Sequence, residues 1–258
     1  MTTLADTTAR LLFTCPDRPG IVAPVSAFLF QHGANITELD QHSTDPEGGK
    51  FFMRLEFQTP RLDLSRAALH EAFGSAVGKR FDMEWHITYA SELPRVAILV
   101  SKHDHCLLEL LWRWSRQELP MRVPLVISNH GELRGAVEGF GARFEHVANT
   151  ADTQSAAETR MLELLEGQAD ALVLARYMRV LSPGFVARWP NRIINIHHSF
   201  LPAFAGADPY RQAYQHGVKL IGATAHYVTA ALDQGPIIEQ DTARVSHRDS
   251  PEDLKRLG

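Results

Sequence analysis

The sequence is poor in cysteine, since Cys15 and Cys106 are the only two among 258 residues. They are far apart and form no C-x-x-C pair, so neither a disulfide framework nor a zinc–thiolate site is expected. The first ten residues lack the basic and apolar regions of a secretory signal, and no apolar run approaches the roughly 18 residues that a membrane span needs. These absences predict a cytoplasmic protein with no membrane association.

Positive charge is not in excess either. The chain holds 26 lysines and arginines against 30 acidic residues, a net charge of -4. This balance argues against a nucleic-acid partner. The sequence has no P-loop, and no G-x-G-x-x-G follows the first strand expected after residue 94, so nucleotide binding loses its main support.

Histidine, in contrast, is abundant, with 13 residues. A histidine-rich chain raises the possibility of a metal site. The one adjacent pair, His197 and His198, falls on an expected strand, where neighbouring side chains point to opposite faces and cannot easily share an ion. Most of the other histidines show no mutual ligand spacing. We therefore expect no metal.

Residues 8–90 read as one small domain. A dense turn signal precedes a helical stripe that begins at Ile21 and ends before Gly33. Alternating strands are expected over Arg10–Cys15, Asn35–Ser43, Lys50–Phe57 and Phe81–Thr88, with a second helix over Leu64–Val77. This βαββαβ order predicts a ferredoxin-like fold with both helices on one face of an antiparallel sheet.

Two short motifs in this domain resemble those of ACT domains, small regulatory modules that bind amino acids. They are D-R-x-G-I-V-A at Asp17–Ala23 and G-A-N-I at Gly33–Ile36. The resemblance implies a homo-oligomer and an amino-acid effector, glycine or methionine. The implied effector site comprises Asp17, Gly20, Ile21 and Asn35. The free N–H groups of the helix after Gly20 can hold a carboxylate, although these residues could equally serve only as caps and turns.

A short linker, Ala90–Pro94, precedes a second domain over residues 94–258. Its apolar runs lack alternation, as expected of parallel strands buried on both faces. Strands are expected over Arg95–Ser101, Arg122–Ser128, Phe144–Val147, Ala171–Ala175 and Arg192–Ile196, with helices over Leu107–Trp114, Ala151–Glu166 and Pro183–Trp189. This alternation predicts a doubly wound, mostly parallel α/β sheet with its ligand beyond the carboxyl ends of the strands.

Three polar residues stand out near those carboxyl ends. Asn195 and His197 lie two positions apart on one strand and therefore share a face. An amide donor beside an imidazole suits stabilisation of an oxyanion and transfer of a proton. Asp233 lies in a turn between two apolar segments, a favourable place for a carboxylate that faces a cleft.

The surrounding motifs resemble those of the formyltransferase family, which uses 10-formyltetrahydrofolate. N-I-H-x-S-x-L-P matches Asn195–Pro202, T-x-H-x-V matches Thr224–Val228, and L-D-x-G-P-I-I matches Leu232–Ile238. The resemblance implies that Asn195, His197 and Asp233 are catalytic. It also implies a set of substrate-binding residues, among which Cys106 and His105 would line the space that holds phosphate in the transferases: Met178, Arg179, Val180, Leu181, Thr224, His226, Cys106 and His105.

The resemblance also narrows the reaction. Family members that formylate glycinamide ribonucleotide hold its phosphate in a glycine-rich loop after the first strand, but here that loop, Lys102–Cys106, has no glycine. The RNA-binding domain of methionyl-tRNA formyltransferases is absent.

An ACT domain joined to this catalytic domain resembles the formyltetrahydrofolate deformylases, which release formate and tetrahydrofolate, supply formate for purine biosynthesis and balance the folate pools. Hydrolysis without a separate cofactor is therefore expected. A formyltransferase acting on a small amine and a non-catalytic sensor remain alternatives. The family also implies more chain beyond Gly258, so a truncated carboxyl end is expected.

Overall fold

The protein is described from a computed structural model that covers residues 7–45, 47–203 and 208–258. The chain divides into two compact units, Met1–Leu93 and Pro94–Gly258. Each unit has its own apolar core.

The first unit is a four-stranded antiparallel sheet with two helices. Its elements are β1 Thr8–Pro16, α1 Val22–Gln31, β2 Asn35–Ser43, β3 Lys50–Gln58, α2 Arg66–Ala76 and β4 Glu84–Tyr89. The strand order is β2-β3-β1-β4. Alternate side chains of β1, such as Leu11 and Phe13, are buried together with Phe28 and Phe73 of the helices. The predicted ferredoxin-like fold is confirmed.

The last strand of this unit begins later than the sequence suggested. Residues Gly78–Phe81 form a short 3-10 helix, and β4 starts only at Glu84. The indole of Trp85 lies against Gly74 and Gly78, where a Cβ atom would stand 2.7 and 2.8 Å from the ring. Close packing on the ring therefore competes with strand extension, an effect that alternation alone cannot show.

The second unit is a seven-stranded mixed sheet in the order β11-β10-β9-β8-β5-β6-β7. Its strands are β5 Val96–Val100, β6 Val126–Ser128, β7 Phe144–His146, β8 Ala171–Ala175, β9 Ile193–His197, β10 Leu220–Tyr227 and β11 Ile237–Arg244. Its helices are α3 His105–Ser115, α4 Arg134–Gly139, α5 Gln154–Leu165, α6 Pro183–Ala187, α7 Pro209–Gln215 and α8 Pro251–Leu257.

Strands β5 to β9 are parallel, which confirms the expected doubly wound α/β sheet, whereas β10 and β11 are antiparallel additions at one edge. Cores lie on both faces of the sheet: Leu99 and Leu172 belong to one, and Ile98 and Val126 to the other. Because β10 runs against β9, Thr224 lies opposite His197 at the carboxyl end of β9, and His226 lies opposite Asn195 two residues earlier.

Within the described residues, no helix is both long and apolar enough to cross a bilayer. The same residues contain no group of three or more histidine, cysteine, aspartate or glutamate side chains arranged to hold a metal ion.

Candidate active site

A cavity of about 290 Å³ opens at the carboxyl ends of β8 and β9. Its polar lining includes Asn195, His197, His226 and Asp233, and the segment Arg176–Leu181 forms a further part of its wall. Parallel α/β sheets place their ligand sites at this edge. The volume is close to the lower end for small-molecule sites.

The pairing of β9 with β10 brings Asn195 and His226 together. The two residues are direct partners in the antiparallel register, and opposite residues in such a pair have adjacent side chains. The Asn195 Nδ2 atom lies 3.2 Å from His226 Nε2. A register irregularity between Ala225 and His226 marks the neighbouring pair β10–β11.

The contacts of His226 fit one tautomer of the imidazole. Its Nδ1 lies 3.0 Å from the carbonyl oxygen of Tyr227, which can only accept a hydrogen bond, so Nδ1 carries a proton. The Asn195 amide nitrogen can only donate, so Nε2 must accept. A neutral imidazole satisfies both bonds at once. Asn195 keeps its second amide N–H for a ligand in the cavity.

Asp233 reaches the cavity from the turn between β10 and β11. Its φ is +53°, in the left-handed region that Asp and Asn tolerate better than most residues. The turn is pressed against β10, since a Cβ atom on Gly235 would lie 1.6 Å from the Tyr227 carbonyl oxygen. The Tyr227 N–H donates to the carbonyl of Pro236 at 2.9 Å. Only glycine fits this approach.

The carboxylate of Asp233 faces both imidazoles. Its Oδ2 is 3.6 Å from His197 Nδ1, and its Oδ1 is 3.7 Å from His226 Nε2. Both side chains of the first pair are less than one-tenth exposed. These distances are too long for direct hydrogen bonds, but a carboxylate this close attracts a protonated His197 in a site shielded from water. The arrangement stabilises a positive charge on His197.

The segment Arg176–Leu181 is fixed by polar contacts at three places. The Met178 N–H donates to the hydroxyl of Ser101 at 2.9 Å, and the Gln154 amide donates to the Val180 carbonyl at 2.9 Å. The buried carboxylate of Glu158 accepts from the Ser182 N–H at 2.8 Å and from its hydroxyl. Met178 and Val180 are therefore held with exposed apolar surface along the cavity.

The structure brings together most, but not all, of the site residues expected from the sequence. The following line the cavity: Asn195, His197, Asp233, His226, Met178, Arg179, Val180 and Leu181. Thr224 does not, because its fully buried hydroxyl donates to the Ser199 carbonyl and accepts from the Leu201 N–H. It secures the chain after β9 instead.

Cys106 and His105 are also absent from the cavity lining. Cys106 packs against the core beneath α3, and burial raises the pKa of its thiol. His105 is the first residue of α3, on the exposed side of its first turn. Alternation and motif spacing cannot show which face of the first turn meets the cavity.

The proposed effector residues of the first unit lie at two ends of its fold. Gly20, with a φ of +89°, immediately precedes the buried Ile21 at the start of α1, while Asp17 accepts from the Ser43 hydroxyl. Asn35 begins β2 after α1, a ten-residue helix about 15 Å long. One copy of the unit therefore does not bring Gly20 and Asn35 together.

Glu158 and Ser101 are functional candidates that sequence reasoning missed. Glu158 lies between Ala157 and Met161 on the buried face of α5. An acidic residue inside an apolar stripe needs hydrogen-bond partners, so its position was a usable signal. Ser101 ends a buried apolar run, and its hydroxyl donates to Asn129 at 2.7 Å.

Comparisons with known proteins agree with both units. A family model described as "Formyl transferase" matches residues 94–257, and one described as "ACT domain" matches residues 9–74. The formyltetrahydrofolate deformylase of Bacillus subtilis is 57% identical over 250 residues, which are 96% of this chain and 83% of that protein.

Solved structures extend the comparison. A formyltetrahydrofolate deformylase from Pseudomonas syringae superposes with a TM-score of 0.93 at 48% identity, covering 96% of this chain and 83% of that one. A glycinamide ribonucleotide transformylase from Symbiobacterium toebii gives 0.60 at 36% identity, with coverage of 64% and 79%. The two-unit architecture, the three sequence motifs of the second unit and the identity over nearly the whole length agree: the chain belongs to the formyltetrahydrofolate deformylase family.

Proposed function

We propose that this chain hydrolyses 10-formyltetrahydrofolate to formate and tetrahydrofolate, and so supplies formate for purine biosynthesis and balances the folate pools. The observation that carries the proposal is the placement of Asn195, His197 and Asp233 around one cavity. Family membership points to the same substrate. The folate is the substrate, and the proposed reaction uses no separate cofactor.

Binding places the formyl group beside the polar residues. The apolar side chains of Met178 and Val180 offer a surface for the flat pterin ring, while the backbone of the same segment offers hydrogen-bonding groups. The second N–H of Asn195 is then available to the formyl oxygen. Donors aimed at that oxygen gain strength as negative charge develops on it.

The chemical step needs a water molecule and two proton transfers. Water attacks the formyl carbon and gives a proton to Asp233, so that a tetrahedral oxyanion forms. His197, as an imidazolium held beside Asp233, stabilises the oxyanion and protonates the leaving nitrogen. The C–N bond breaks to give tetrahydrofolate and formic acid, which loses its remaining proton to become formate, while Asp233 returns the proton that it took to His197.

Incubation of the pure protein with 10-formyltetrahydrofolate alone tests the proposal. We expect stoichiometric formate and tetrahydrofolate without an added acceptor. Formate release is measured with a coupled dehydrogenase assay, and the folate by its absorbance. Product that forms only with an added amine would favour a formyltransferase, and binding without turnover would favour a sensor. Either result would overturn the proposal.

Glu158 provides a test of the folate segment. Glu158→Gln replaces one acceptor oxygen with an amide that cannot accept from Ser182 or Gln154. We expect KM for the folate to rise about tenfold, with a smaller change in kcat, and stability to fall by about 1–3 kcal/mol. Glu163→Gln, on the same helix but exposed and paired with Arg160, is the matched control. A KM unchanged by Glu158→Gln would contradict the anchoring role.

We propose further that the ACT unit binds glycine or methionine and that the enzyme is a cytoplasmic homo-oligomer. The exposed residue Gly20 leaves room for a ligand, because no atom lies within 4 Å of the position of an added Cβ. Asn35 of a second copy would have to complete a site at Gly20. Either amino acid should change the melting temperature or rate, and Gly20→Val should abolish the effect. The absence of both changes would refute the effector proposal.

A further inference from the structure

Arg176 has a backbone conformation that its residue type does not favour. It follows β8 directly and has a φ of +61°. Six non-glycine residues among those described have positive φ, and four of them are Asp or Asn, which tolerate this region. The Arg176 carbonyl accepts from the Ser101 N–H at 3.2 Å, which ties this conformation to the end of β5. Glycine would fit here without strain, so the side chain merits a functional explanation.

The guanidinium group of Arg176 has no protein partner in the described part of the chain. Arg176 lines the same cavity as Asn195, His197 and Asp233. Its Nε is buried and makes no hydrogen bond with any described residue. None of the ion pairs among those residues includes it. Arg176 is half-buried, and the buried Nε–H without a partner carries a desolvation cost that an anionic ligand would offset.

The groups around Arg176 do not neutralise it. Burial, followed by the charge of Arg176, lowers the pKa of His198 to about 4, so this imidazole is neutral at pH 7. Desolvation and Arg176 also lower the pKa of His105. The His198 ring lies 5.7 Å from that of Tyr210 and 5.5 Å from that of His197. The imidazoles on which Arg176 acts, those of His198 and His105, therefore carry no negative charge that could compensate the guanidinium.

The nearest acidic groups do not change this balance. Asp104 and Asp208 act electrostatically on His105 and His198, respectively, and both are exposed. Exposed charges are screened by water and salt. Asp233, the other carboxylate of the cavity, faces the two imidazoles described above rather than forming an ion pair with Arg176.

We propose that Arg176 forms a carboxylate subsite that receives the formate produced by hydrolysis and disfavours amine acceptors. The inference rests on the proposed function, because hydrolysis alone turns the neutral formyl amide into an anion. Water adds its oxygen to the carbonyl carbon, the C–N bond breaks, one of the two water protons goes to the nitrogen, the other leaves to solvent, and formate carries the negative charge. Transfer to an amine would instead yield a neutral amide, which has no charge to pair with the guanidinium. An acceptor amine that approached in its protonated form would be repelled by it. A guanidinium matches a carboxylate through two parallel hydrogen bonds.

Formate binding can be measured without turnover. Saturation-transfer NMR of formate added to the folate-free protein should show saturable binding in about the millimolar range, as three non-hydrogen atoms allow. Arg176→Gln should weaken this binding by about tenfold or more. Arg188→Gln, which changes an exposed arginine of the same unit, should leave it unchanged.

Arg176→Gly separates loss of the charge from misfolding. Because φ at this position suits glycine, we expect a melting temperature equal to or above that of the parent chain, together with the same loss of formate binding. Product inhibition by formate should weaken in parallel in both variants. Unchanged formate binding in a folded Arg176→Gly protein would overturn the subsite.

A second carboxylate source is the glutamate tail of the folate. If Arg176 held that tail, its variants would raise KM for the folate and leave formate binding and product inhibition unchanged, a result that would also overturn the proposal. Failure of the parent chain to release formate from 10-formyltetrahydrofolate would refute the proposed function instead. Formate affinity in the absence of folate is a separate measurement, so the two failures can be told apart.

Discussion

Asp233→Asn is expected to lower kcat for formate release by about a thousandfold, within the 10²–10⁴-fold range of positioned acid–base groups. The amide keeps the size of the side chain but removes the negative charge 3.6 Å from His197 Nδ1. His197 then loses the group that stabilises its imidazolium, and the attacking water loses its proton acceptor. KM should change little, because the pterin contacts lie on the segment after β8.

The turn itself should survive this change. Asp233 has a φ of +53°, which asparagine tolerates as well as aspartate does. Asp82→Asn is a close control, since Asp82 is also left-handed, with a φ of 52°, and lies in the other unit. We expect a melting temperature within about 2 °C of the parent for both variants. A kcat within threefold of the parent in Asp233→Asn would exclude the proposed role.

The parallel part of the second unit could be predicted from the sequence because its signals are local. Ala171–Ala175 is a strand with the predicted bounds, since five apolar residues between turn signals suit a strand buried on both faces. The helix that begins after Thr153 could likewise be predicted, because its apolar residues recur at helical spacing. The short helices Arg134–Gly139 and Pro209–Gln215 were not predicted, because so few residues show no clear hydrophobic periodicity.

Most residues that line the candidate site could be proposed from motifs, but their geometry could not. Nothing local to Asn195 shows that His226 is its cross-strand partner, because that depends on an antiparallel register between distant segments. The close turn at Gly235 is equally non-local. Thr224 shows the reverse error: the motif is present, yet packing turns its hydroxyl into the structure rather than the cavity.

Arg176 and Glu158 show a different limit of the sequence. An arginine at the end of a strand and a glutamate in a helix are ordinary in composition. The unusual features are the positive φ of Arg176 and the burial of the Glu158 carboxylate. The positive φ of Arg176 depends on the tertiary structure, so the sequence alone does not single out this residue. The position of Glu158 in an apolar stripe is visible in the sequence, but the groups that its carboxylate binds are visible only in the structure.

Asn195→Ala is expected to lower kcat by roughly 10²–10³-fold with little change in KM, the cost of removing one oxyanion donor. The donor acts mainly when the formyl oxygen has become negative, so the transition state loses more than the bound substrate does. Stability should fall by about 1–2 kcal/mol, because the Nε2 acceptor of the buried His226 loses its partner. Steady-state kinetics and thermal unfolding separate the two effects.

His226 tests how that donor is held. His226→Ala leaves the Asn195 amide in place but removes the acceptor that orients it, so we expect a smaller loss in kcat, about tenfold, again with little effect on KM. Because His226 acts through Asn195, the double variant should be no slower than Asn195→Ala alone. Losses that multiply in the double variant would instead mean that His226 contributes independently of the amide. If the bond between Asn195 Nδ2 and His226 Nε2 serves to aim the remaining N–H of Asn195 at the formyl oxygen, the two losses cannot be additive, because without the amide there is no donor for His226 to orient.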